Sequence, residues 1–91
     1  MTMLAIPTVH LNGTSAGDLL NAIAAARTAV REAEEAMGRV CPNGRDYYPQ
    51  GGAAIQEALR QHANRCHSLR AIYNEIGEIA EAIDAQTGEP T

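Results

Sequence analysis

Two stretches of this chain repeat apolar residues at helical spacing, and a polar-aromatic segment separates them. In the first, small or apolar residues recur at Ala16, Leu19, Ile23, Ala26, Val30, Ala33 and Met37, with Leu20 beside them. The alternation of three and four residues is one narrow helix stripe. Arg27, Arg31, Glu32, Glu34 and Glu35 fill the rest and are expected to face outward. The second stretch is cleaner: Ile55, Leu59, His62, Cys66, Leu69, Tyr73, Ile76, Ala80 and Ile83 follow strict four-three spacing. Ile72 and Ile79 add a second apolar shoulder.

Local signals set the boundaries. Pro7 cannot donate to a sheet ladder, so the start of the chain is expected as an extended arm or edge strand. Asn12-Gly13 is a turn signal, and Ser15-x-x-Asp18 is a capping box with Asp in place of Glu, onto which Leu11 is expected to staple. Gly38 is a candidate C-cap, and Pro42-Asn43-Gly44 is turn chemistry. Pro49 is expected to hold Tyr48 extended. Gly77 inside the second helix costs about 1 kcal/mol against Ala, which a close helix approach would explain. One domain follows: arm and turn over 1–14, first helix over 15–38, loop over 39–52, second helix over 53–86 and a short tail.

The fold class expected is all-α, an antiparallel hairpin of two long helices with a short extended N-terminal arm. Opposed positions are expected to sum to roughly 92, and the second helix, about 50 Å long, outruns the first. Met37 would then face Ile55, Val30 face His62, and Ile23 face Leu69. Ile76, Ile79 and Ile83 would be left for the arm (Leu4, Ile6, Val9) and a second copy to cover, so a homo-oligomer, at least a dimer, is expected.

Charge narrows the function. The formal net charge is −4, which argues against a nucleic-acid polymer as partner. All seven basic residues are Arg, whose planar fork suits phosphate and carboxylate. No run of about 18 apolar residues is present, so no membrane span is expected. Residues 1–11 show neither a basic region nor a cleavage site, and two cysteines, Cys41 and Cys66, fit a reducing cytosol. Charge along the second helix is split: Arg60, Arg65 and Arg70 come first, Glu75, Glu78, Glu81 and Asp84 after. Acids near a helix C-terminus oppose its dipole, and an arginine from another subunit or partner would compensate them.

Candidate chemistry centres on the loop. Tyr47 and Tyr48 are suited to stacking on a flat ring and Arg45 to a forked phosphate contact. Asp46 can accept from hydroxyls or amines, Gln50 adds an amide, and Gly51 and Gly52 let helix-start amides approach an anion. The set describes a nucleotide-like ligand; a self-packed loop with an Arg45–Asp46 ion pair is the plain alternative. On the second helix Arg60, Asn64 and His67 share one face, either phosphate-binding or merely solvated. Asn12-Gly13-Thr14-Ser15 is explained by turn and cap. His62 and Cys66 at i, i+4 have metal-ligand spacing, but both fall on the core stripe with Cys41 roughly 20 Å away, so no metal is expected. No nucleophile–base set, Walker loop or dinucleotide fingerprint is present, so neither catalysis nor a cofactor is expected.

The segments His10-Leu11-Asn12-Gly13-Thr14-Ser15 and Pro42-Asn43-Gly44-Arg45-Asp46-Tyr47-Tyr48-Pro49, separated by one helix and followed by another, resemble small helical proteins of bacteriophages and prophages. The similarity covers most of residues 9–85. In size, helix content and expected self-association the chain is also similar to phage sponges that sequester nucleotide signals of the CBASS and Thoeris defences. The resemblance implies a non-enzymatic binder of a cyclic nucleotide or cyclic ADP-ribose-type messenger in the host bacterial cytoplasm. No ligand residue is carried over from it. A helical protein-interaction module that inhibits a host or phage protein is the alternative.

Overall fold

The computed structural model describes residues 3–87. All its regular structure is helical, with no strand among the described residues. Helix α1 spans Ala16–Met37, α2 is the single turn Gly44–Tyr47, and α3 spans Gly52–Thr87. The 3₁₀ turns Gly38–Val40 and Tyr48–Gln50 complete the connection. The tail residues Gly88, Glu89, Pro90 and Thr91 lie outside the described residues.

The start of α1 follows its cap: the Asp18 amide donates to Ser15 Oγ at 3.1 Å. Leu11 does not staple onto it. The Gly13 amide closes a turn on the His10 carbonyl at 3.1 Å, and this turn leaves Leu11 97% exposed. Residues 3–9, before the turn, form no strand. It is held by one side chain of α3, since Gln86 Oε1 accepts from the Val9 amide and Gln86 Nε2 donates to the Pro7 carbonyl, each at 2.8 Å. Leu4 and Val9 are half-buried there, while Ile6 stays 39% exposed.

Contacts between α1 and α3 pair Arg27 with Tyr73 and Gly77, and Glu34 with Arg70. Partner numbers fall along α3 as they rise along α1. The pairing is displaced by roughly two to three helical turns from the expected one, in which Met37, Val30 and Ile23 met Ile55, His62 and Leu69. The connection is the reason. Residues 38–51 are not a tight loop; α2 and the turn at Tyr48–Gln50 pack along the first turns of α3. The unmatched end of α3 is therefore its beginning. At its other end Ile83 and Gly77 are buried and Ile76 and Ile79 half-buried within the single chain, so the expectation that α3 outruns α1 at this end is corrected.

The face that α1 turns inward keeps the expected stripe at Ala16, Leu19, Ile23, Val30, Ala33 and Met37, all half-buried, and departs from it at Ala26, which is exposed. Leu20, Arg27 and Glu34 are half-buried as well, so a second four-three repeat through Ala16, Leu20, Ile23, Arg27, Val30, Glu34 and Met37 runs inward and includes two charged residues. The molecule measures 63 × 25 × 24 Å with a radius of gyration of 19.0 Å. A compact chain of this length would have about 12 Å. Among the described residues Ile83 is the one fully buried hydrophobic side chain.

Candidate functional site

The connection is built from local chemistry. Asn43 Oδ1 accepts from the Arg45 amide at 2.8 Å and the Asn43 carbonyl from the Asp46 amide at 2.9 Å, so Asn43 caps α2. This sets Arg45 and Asp46 on a helical turn with both side chains exposed. They form no ion pair with each other; the pairs found among the described residues are Arg60–Glu57 and Arg70–Glu34. Tyr48 is helical (φ −62°, ψ −28°), not extended as Pro49 led one to expect. Proline in the first turn of a helical segment removes an amide that would have no partner there, so the 3₁₀ turn forms around it. Gly51 closes the turn with its amide on the Tyr48 carbonyl at 3.1 Å and takes φ +101°, a backbone that favours glycine.

This turn separates the two tyrosines. Tyr47 is half-buried, whereas Tyr48 is 77% exposed. Tyr48 is thus the ring available for stacking, and Tyr47 belongs to the packing of the connection. Gln50 and Gly52 are exposed at the entry to α3, whose first amides have no partner within the helix.

Arg60, Asn64 and His67 lie exposed on α3, beyond that entry. No hydrogen bond or ion pair links them to the loop residues. Arg60 instead engages Glu57, with its Nε 3.0 Å from Oε1 and its Nη2 on Oε2, and Gln61 donates to the same carboxylate at 3.0 Å. The Arg60 hydrogen bonds, helped by that of Gln61, pull the Glu57 carboxyl down from 4.5 to about 2, and the pair raises the guanidinium above its ordinary value. A phosphate approaching Arg60 would compete with this forked pair. Asn64 contributes its carbonyl to Ser68 Oγ at 3.0 Å.

A second group of side chains lies where α1 meets α3, and residues expected to face outward build it. The Arg27 guanidinium sits 3.9 Å from the centroid of the Tyr73 ring, and its Nε donates to the Tyr73 carbonyl at 3.1 Å. Gly77 makes room for it: a Cβ at that position would stand 2.8 Å from an Arg27 nitrogen. The interior glycine thus accommodates a side chain rather than a close backbone. Arg70, 4.8 Å from the same ring centroid, forks onto Glu34 at 2.9 and 3.0 Å. The signal for this network was the uninterrupted four-three repeat through Arg27 and Glu34, together with a glycine four residues after Tyr73.

Beside it Leu20 and Arg27 face Gly77, Glu78, Glu81 and Asp84 across an open cleft of about 550 Å³. Three carboxylates against one guanidinium make this cleft unfavourable for a phosphate. His62 and Cys66 are half-buried neighbours, with Sγ and Nε2 3.5 Å apart. No group of three or more metal-ligating side chains occurs among the described residues. No helix among them is long and apolar enough to cross a membrane. Comparison with protein families, with curated proteins and with solved structures finds no match to this chain.

Proposed function

We propose that this chain is a phage-encoded immune-evasion sponge that holds a cyclic nucleotide or cyclic ADP-ribose-type defence signal in the host bacterial cytoplasm without cleaving it. Its unit is an antiparallel two-helix hairpin that works as a homo-oligomer. The observation that carries the reading is Tyr48, an aromatic ring 77% exposed on a segment fixed by the Asn43 cap and the Gly51 turn. Exposed Arg45 and Asp46, unpaired with each other, stand three and two residues before it. A base stacks on Tyr48, Arg45 forks onto phosphate, Asp46 accepts from ribose hydroxyls or base amines, and the start of α3 at Gly52, just past the Gly51 turn, supplies amides. The site is open in a single chain, which is why a second subunit completes it.

Thermal denaturation against cyclic di- and trinucleotides and cyclic ADP-ribose isomers tests this. A ligand at 100 times its dissociation constant stabilises by about 2.7 kcal/mol. The expected result is a selective shift with the compound recovered intact, weakened in both Tyr48→Ala and Arg45→Ala. Unchanged affinity in both variants would sink the loop assignment.

A second reading is a protein-interaction module, favoured by the exposure of Leu11 (97%) and Val40 (62%) in addition to Tyr48. No shift with any compound, and a stoichiometric protein partner in a pull-down, would select it.

A further inference from the structure

One stripe of α3 has no covering element over its middle. Gln61, Arg65, Ser68, Ile72 and Glu75 are all exposed and follow each other at four-three spacing, the repeat of a helix–helix seam. Towards the C-terminus the same repeat runs on through Ile79 and Ala82, both half-buried, to Gln86, which holds the N-terminal arm. The arm thus occupies one end of the seam, and the open remainder leaves Ile72 47% exposed. Arg65 and Glu75 flank Ile72 and have no ion-pair partner among the described residues.

We propose that this open stripe docks a second copy of the chain, antiparallel, with Arg65 of each copy against Glu75 of the other. The charges select the occupant and its direction. A two-fold axis placed midway between Arg65 and Glu75 matches each arginine with the opposite glutamate, whereas a parallel pair would set arginine against arginine. About that axis Ser68 and Ile72 exchange places, so each Ile72 lands on the small Ser68 of its neighbour and beside the methylene stem of Arg65. The stripe is therefore complementary to itself, as an isologous interface requires. The shape argues the same way, because an elongated chain with one fully buried hydrophobic side chain among its described residues gains a core by pairing along its longest helix. This inference rests on the proposed self-association and is independent of the nucleotide.

Sedimentation of the full chain and of four variants tests it. The wild type is expected to self-associate. Ile72→Glu should lower the assembly state while circular dichroism stays helical. Arg65→Glu and Glu75→Arg, each of which sets like charges together, should raise the dissociation constant by about tenfold or more. The double variant Arg65→Glu/Glu75→Arg should recover it, which no folding defect would imitate. Self-association indifferent to Ile72→Glu, or no recovery in the double variant, overturns this face and leaves the homo-oligomer standing. A wild type that sediments as a monomer overturns both, and the ligand titration judges the nucleotide separately.

Discussion

Tyr73 gathers charge from both helices. Two guanidiniums approach its ring, its carbonyl accepts from one of them, and the glycine one turn later gives that arginine its place. Cation–π contacts contribute about 0.5–1 kcal/mol each at exposed sites and more where water is excluded. Gly77→Ala sets this network against helix propensity, which favours Ala by about 1 kcal/mol. Because Arg27 is pinned by its hydrogen bond, Gly77→Ala should destabilise the wild type yet stabilise an Arg27→Ala background. Chemical denaturation of the four proteins of that cycle would show the change of sign. At Gly51, φ +101° with ψ 161° is a region reserved for glycine, so Gly51→Ala should cost about 1–3 kcal/mol in the same assay. Glu57 gives a pH signature. Its carboxyl is held at about 2 in the folded chain against 4.5 otherwise, so its contribution is complete above pH 4.5 and fades as pH falls towards 2. Carboxyl NMR should place its midpoint well below 4.5, and Arg60→Ala should return it towards 4.5.

At the scale of elements, starts were easier to read than alignments. Ser15 and the Gly51-Gly52 pair mark where α1 and α3 begin because a cap and a turn are local chemistry. The alignment of α1 on α3 depends on how much length the connection takes up, and that was decided by Asn43 capping one turn and Pro49 joining another. Neither effect appears in an apolar repeat. The inward place of Arg27 on α1 was hidden for a different reason. A count of apolar positions prefers Ala26 to Arg27, although a long side chain reaching a ring and a carbonyl can take the inner place. In the candidate loop the chemistry-bearing residues were legible, but which tyrosine is exposed was not, because it follows from the 3₁₀ turn. The arm offers a clean element test. Gln86→Ala removes both of its hydrogen bonds, and the Val9 amide should exchange at the rate of an open chain while α1 and α3 keep their protection.

For the whole molecule the governing quantity is length against thickness. The chain is 63 Å long and about 25 Å across. Side-by-side pairing along α3 widens such a body without lengthening it. X-ray scattering should therefore give a dimer whose longest dimension stays near that of one chain, whereas end-to-end association would come close to doubling it. Sparse burial has a calorimetric consequence as well. The heat-capacity change of unfolding follows the apolar surface released, typically about 12–15 cal/mol/K per residue. A single chain in which Ile83 is the one fully buried hydrophobic side chain among the described residues should fall below that range, with a shallow denaturant slope and a broad melting endotherm. If pairing supplies the missing interior, the endotherm sharpens and moves upward with protein concentration, so the breadth of the melt itself reports how many chains share one core.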